Sequence, residues 1–213
     1  MSTANIKELE SQLVQIKARL QSMFGKGSGS LEAISSVFDE QHELERKLAA
    51  VKGEAYAKPI DIGCVPSVSG SGETFIQAEL SDAFIIFGAV AKTKESGGRY
   101  DDIGWAFVRL KHCQQSKFGY PNDEAFPGHP LYGKGFSGVG VFEVINSNWE
   151  QILREQNRIS FPDSPPWPWE LKHLIFAFKE NVLECLVKDF EARIENRPFA
   201  ELLAEATAKI VRD

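Results

Sequence analysis

The spacing of apolar residues changes period once along this chain, and that change constrains the fold more than any single motif. From the N-terminus the apolar positions are Ile6, Leu9, Leu13, Ile16, Leu20 and Met23, stepping alternately by 3 and 4. A second run, Ile34, Val37, Gln41, Leu44, Leu48 and Val51, repeats the step. Such a step places every one of these side chains on one stripe of an α-helix, the a and d seam of a coiled coil. Between the runs lies GKGSGS, residues 25–30, whose three glycines break the helix, and Gly53 is placed to end the second run. The prediction is an antiparallel helical hairpin over residues 1–57, with helices roughly 30 Å long at about 1.5 Å per residue.

Two helices bury little by themselves, so the hairpin needs a third surface. Its apolar stripe widens toward the glycine loop, where Leu20, Met23 and Phe24 of the first helix meet Leu31 and Phe38 of the second. This apolar tip is expected to bind a second copy of the chain, the chain's own C-terminal domain, or another protein. Self-association into a helical bundle is the leading expectation. Gln41, polar at a seam position, fits either register control or simple solvation.

After AKPIDIG the period becomes that of strands. Candidate strands are Ile60–Cys64, Thr74–Leu80, Ala83–Lys92, Ile103–Lys111, Val139–Ile145, Leu171–Lys179 and Val182–Ile194. Ile103, Trp105 and Phe107 alternate with Ala106, Val108 and Leu110, which predicts a strand buried on both faces. Glu180-Asn181 reads as a hairpin turn. Ser147-Asn148-Trp149-Glu150 reads as a capping box opening a short helix, and Asn196-Arg197-Pro198 opens another with Phe199, Leu202, Leu203, Ala206 and Ile210 inward. Strands and helices do not alternate regularly. The expected fold is therefore α+β: a mostly antiparallel sheet with helices on one side over residues 58–213, preceded by the hairpin.

Composition removes several functions. The net charge is −6 and no stretch concentrates Lys and Arg, which argues against a nucleic-acid partner. The apolar run AFIIFGAVA is far shorter than the ~20 residues of a membrane helix, so no membrane partner is expected. Cys64, Cys113 and Cys185 are odd in number and widely spaced, and they read as reduced thiols. With a polar N-terminus that lacks a signal core, this gives a soluble cytoplasmic protein as the expectation.

Motifs for cofactors are weak. Gly133-Lys134-Gly135-Phe136-Ser137-Gly138 has the letters of GxGxxG, but a loop precedes it and a strand follows, the reverse of a dinucleotide fingerprint. GKGSGS lacks the Lys-Ser/Thr ending of a phosphate loop. There is no CxxC or HxxxH, and adjacent His112 and Cys113 would point to opposite faces of a strand. No cofactor and no metal are expected. His173 reads as a strand residue beside Phe176 and Phe178. FPDSPPWPWE, residues 161–170, reads as a rigid loop folding its tryptophans over the core, with polyproline recognition as the other reading.

The densest polar segment is FGYPNDEAFPGHPLY, residues 118–132. Pro121-Asn122-Asp123 suits a turn, Gly128 permits positive φ, and Pro130 holds His129 extended, so a purely structural loop is expected. Its functional alternative uses His129 as a proton shuttle oriented by Asp123 or Glu124, with Asn122, Tyr120 and Tyr132 contacting a ligand. The blocks FGYPNDEA, GHPLY and FEVINSNW together resemble a family of small bacterial proteins of uncharacterised activity, over roughly Ile103–Val187. Where that family carries FTFHDSTFECIA this chain has FAFKENVLECLV, with Lys179 at the histidine position. If that histidine were catalytic in the family, this chain has lost it. The resemblance implies a bacterial origin and brings no activity. The sequence thus leads to a non-catalytic interaction or assembly protein, with a homo-oligomer or another protein as partner. The alternative is a small enzyme or ligand-binding domain built on His129, Asp123 and Glu124.

Overall fold

The computed structural model describes residues 3–26, 30–69, 72–78, 82–92, 99–163, 165 and 170–210. The hairpin is present as helices α1 (Thr3–Lys26) and α2 (Leu31–Lys52). Ion pairs of Glu10 with Lys52, Lys17 with Glu45 and Arg19 with Glu40 show that the helices run antiparallel. Ile16, Leu20, Val37 and Leu44 are buried in the seam, with Leu9, Leu13 and Met23 packed against them. Ser30 caps α2 by accepting the Ala33 N–H, and Gly53 ends it in the left-handed region at φ 70°. Gln41 is not merely solvated: its amide donates to the buried Glu45 carboxylate at 2.7 Å.

The remaining chain forms two five-stranded sheets among the described residues. The first runs β1 (Tyr56–Pro59), β7 (Gly140–Ile145), β8 (Lys172–Ala177), β9 (Val182–Val187), β6 (Gln115–Gly119). The second runs β10 (Asp189–Glu195), β5 (Tyr100–Lys111), β4 (Ala83–Lys92), β2 (Val65–Pro66), with β3 (Thr74–Gln77) also on β4. Every strand pairing is antiparallel. The α+β class and the antiparallel pairing agree with the sequence. The expected antiparallel sheet with its helices is divided, among the described residues, into two sheets packed face to face.

Alternation explains the layering. Ile85, Phe87, Ala106, Val108 and Leu110 point from the second sheet into the shared core, where they meet Leu174, Phe176, Leu183, Cys185 and Val187 of the first. Phe87 packs edge-on against Phe178 at 5.2 Å between centroids. The opposite parity, Phe84, Ile86 and Phe107, is covered by Leu202 and Ala206 of α4 (Phe199–Ile210). β5 is therefore covered on both faces, as its composition predicts. On the outer face of the first sheet, Phe142, Val144, Ile175, Ala177 and Val182 are covered by Phe126, Leu131 and Phe136 of the loop segment. Each sheet has an apolar outer face, so cover is needed on both sides of the molecule.

Val182–Ile194 is not one strand. After Val187 the Lys188 N–H donates to the Lys111 carbonyl, and the chain passes from the first sheet to the second. The apolar parity records the switch: Leu183, Cys185 and Val187 face the core, then Phe190, Ala192 and Ile194. Ile60–Cys64 is likewise displaced into β1 and β2, although Ile60 and Ile62 still pack on the core. The expected boundary at residues 57/58 falls inside β1. Ala57 is fully buried under Phe136 and Phe142, so this strand belongs with the sheets, and the helical part ends at Gly53. The tryptophans of residues 161–170, the tip residues 27–29 and the side chain of Leu31 lie outside the described residues. Among the described residues no helix is long and apolar enough to cross a membrane.

Candidate functional site

The outer face of the first sheet changes character across its width. Its apolar part lies under the loop that contains the 3-10 turn Asp123–Gly128. Beyond the loop's edge the same face is polar. Register places Lys117 of β6 opposite Glu184 of β9, and Glu184 opposite Ile175 of β8, with His173 one outward position along β8. The side chains of His173, Glu184 and Lys117 therefore stand on one patch by period-2 geometry alone.

Two histidines converge on the one carboxylate. His173 Nε2 is 3.0 Å from Glu184 Oε2, and its Nδ1 is 2.8 Å from Ser147 Oγ. His129 comes from the loop; its ring packs on Phe136, centroid to centroid 4.4 Å, and is 9% exposed. Its Nδ1 accepts the Leu131 N–H at 3.2 Å, so the ring proton sits on Nε2. That Nε2 faces Glu184 Oε1 at 3.9 Å, beyond hydrogen-bond length, and has no partner among the described residues. Burial opposes ionisation of Glu184, but the two histidines and Lys117 outweigh it and hold the carboxyl well below its ordinary range. An ionised carboxylate only accepts. His173 therefore donates from Nε2, and in the neutral ring Nδ1 is left to accept from the Ser147 hydroxyl.

The other wall is the start of α3 (Trp149–Ser160). Asn146 holds a left-handed φ of 56°, which turns the chain sharply from β7 toward that helix. The capping box expected here does not form. Asn148 makes no side-chain cap, Glu150 pairs with Arg154, and Ser147 Oγ accepts the Trp149 N–H at 3.2 Å while facing His173. The Trp149 indole N–H donates to Gln115 at 2.7 Å, its ring stands edge-on to His173, and Lys117 Nζ lies 4.2 Å from its centroid. His129, Ser147, Trp149, His173, Glu184 and Lys117 line a cavity of about 290 Å³, with Leu131, Val144 and Ile152 as apolar walls.

The sequence reading places one of its residues here, His129. Asp123 and Glu124 do not join it. Asp123 is held through its backbone N–H, which donates to the Lys179 carbonyl, and Glu124 is exposed. The carboxylate facing His129 is Glu184, because the loop lays His129 on the sheet while the 3-10 turn carries both acidic residues away. Asn122 makes no side-chain cap, and Tyr120 is 84% exposed. Tyr132 lines a different cavity, of about 220 Å³, with Phe38, Gln41, His42 and Glu45 at the joint between α2 and the loop. His173 is also corrected. It sits on the face opposite Phe176, since residues an odd number apart on a strand point apart. Among the described residues no group of three His, Cys, Asp or Glu side chains is arranged to hold a metal.

At the hairpin tip, Leu20 and Met23 are already used in the α1–α2 seam. Phe24 and Phe38 are 59% and 37% exposed, with ring centroids 6.1 Å apart. No family model, curated protein or solved structure matches this chain.

Proposed function

We propose that this chain is a small ligand-binding domain with acid–base competence, acting on a polar small molecule held over the outer face of β8 and β9. One observation carries the reading: two histidines from distant segments meet one ionised carboxylate in an open cavity. Purely structural histidines are expected to be satisfied, whereas His129 keeps a buried N–H without a partner at the cavity wall. His173 is arranged as the base, Glu184 fixes the proton on its Nε2, and Trp149 lines the cavity beside them. The blocks that carry the resemblance to small bacterial proteins contain His129, Ser147 and Trp149. The neighbouring free thiols of Cys113 and Cys185 support a reducing, cytoplasmic setting.

Long-range nitrogen–proton NMR of the histidine rings tests this reading. Both rings should show a proton on Nε2, and Glu184→Gln should move the Nε2 signals of both. A fragment screen by ligand-observed NMR should yield binders lost in His173→Ala and kept in Tyr132→Ala. Binders insensitive to His173 would overturn the assignment.

The exposed pair Phe24 and Phe38 favours a second role, self-association through the hairpin. Light scattering should show a dimer or larger species that Phe24→Ser with Phe38→Ser converts to monomer. A monomeric parent at about tens of micromolar, where weak association is visible, refutes this role.

A further inference from the structure

We propose that Ser147 is a nucleophile and that the site hydrolyses an ester of a short acyl group through an acyl-serine intermediate. This rests on the acid–base reading above and adds the reacting atom and the substrate class. Ser147, His173 and Glu184 form one unbroken chain, Oγ to Nδ1 at 2.8 Å and Nε2 to carboxylate at 3.0 Å. It is the logic of a serine–histidine–acid triad with the two ring nitrogens exchanged. What matters chemically is that Glu184 holds a proton on Nε2, so that the neutral ring presents an unprotonated Nδ1 to the hydroxyl.

The backbone gives a second, independent argument. Ser147 follows a residue in the left-handed region, on a strand-to-helix turn, and it lines the cavity rather than the sheet's core. Its Oγ also accepts the Trp149 N–H, which favours partial negative charge on that oxygen. His129 Nε2–H and the Lys117 ammonium also line the cavity, neither of them hydrogen-bonded to Ser147 or His173. They offer an N–H donor and a positive charge for a carbonyl oxygen that becomes negative. The cavity, about 290 Å³, is at the small end for ligand sites, and Leu131, Val144 and Ile152 suit a short acyl chain.

The steps balance with water as the only co-reactant. Ser147 Oγ bonds to the carbonyl carbon, its proton passes to His173 Nδ1, and the carbonyl π pair moves to oxygen. The carbonyl re-forms as the bond to the alcohol oxygen breaks, and the alcohol leaves with the proton from Nδ1. Water then attacks the acyl carbon and gives its proton to Nδ1. Collapse releases the acid, and Ser147 Oγ takes that proton back.

The test treats the full chain with a fluorophosphonate, followed by intact mass and peptide mapping. The expected result is one adduct, on Ser147. Ser147→Ala should abolish it, His173→Gln should slow it by roughly 100-fold or more, and Ser147→Cys should transfer labelling to iodoacetamide. Glu184, a positioning residue, is read through pH: Glu184→Gln should shift the pH profile of the labelling rate. A p-nitrophenyl acetate burst of one product per chain should accompany labelling. No adduct on Ser147 in a chain whose His173 shows the expected tautomer overturns the nucleophile alone. Labelling of Ser147 that is undiminished in folded His173→Gln and Glu184→Gln overturns the acid–base reading.

Discussion

Gly135 and Gly133 offer a controlled measurement of how the hairpin is tied to the sheets. Both have positive φ, 88° and 74°. A Cβ there costs about 1–2 kcal/mol of backbone strain in either case. Their surroundings differ. A Cβ on Gly133 would meet nothing closer than Glu45 Oε1 at 4.0 Å. A Cβ on Gly135 would run into the carbonyl oxygen of Ala57 and come within 2.7 Å of Arg46 Cγ. Arg46 can swing aside. The Ala57 carbonyl cannot, since β1 is paired to β7 and Ala57 N–H is held by the Lys134 carbonyl at 2.8 Å. The overpacking adds about 1–3 kcal/mol. At a urea m-value of about 2 kcal/mol/M, Gly135→Ala should unfold roughly 0.5–1.5 M earlier than Gly133→Ala. Equal midpoints at equal m-values would mean that α2, β1 and the loop are not locked together at Gly135.

Three further outcomes follow from the same structure. Glu184 is ionised more readily folded than unfolded, so its contribution is full above about pH 4.5, its ordinary value, and lost as pH falls below. With His129, His173 and Lys117 facing it, Glu184→Gln should flatten the acid side of the stability profile; an unchanged slope below pH 4.5 contradicts this. The three thiols should resist DTNB until urea is added, since all are buried and burial with Asp61 pushes Cys64 up to about 11; one fast native thiol refutes it. Asp123→Ala should change stability by no more than about 0.5 kcal/mol, because the structure holds the Asp123 backbone N–H, which alanine keeps. A loss of 1–2 kcal/mol in the urea midpoint would restore the turn as a side-chain device.

The helices were legible because their signals are local. The 3-4 spacing, the glycine break and the Gly53 stop each act within one or two turns. β4 was legible for the same reason, being a continuous apolar run that ends where charge begins. β6 was not, because Gln115, Ser116 and Lys117 form a polar edge strand whose pairing with β9 leaves no apolar pattern. The second sheet was hidden in parity. The shift from Leu183, Cys185 and Val187 to Phe190, Ala192 and Ile194 is visible in the letters, but it reads as an irregular strand until Lys188 is seen crossing to β5.

The site was misplaced for a related reason. Loop residues with turn chemistry draw attention because their side chains are polar, yet polar loop residues are cheap, and Asp123 and Glu124 sit where water reaches them. A charge inside an apolar strand is expensive. Glu184 interrupts Val182-Leu183 and Cys185-Leu186-Val187, and His173 precedes Leu174-Ile175-Phe176. Strand parity puts both on the face opposite Leu183 and Phe176, together with Ile175 and Val182. Such residues persist only where partners offset their desolvation. Searching the strands for polar groups at outward parity finds Glu184 and His173 without a structure, whereas Lys117 joins them only through the pairing of β6 with β9. Ser147 and Trp149 have no such signal: they reach the patch because Asn146 turns the chain back over it, and a single left-handed non-glycine residue is not written in the sequence.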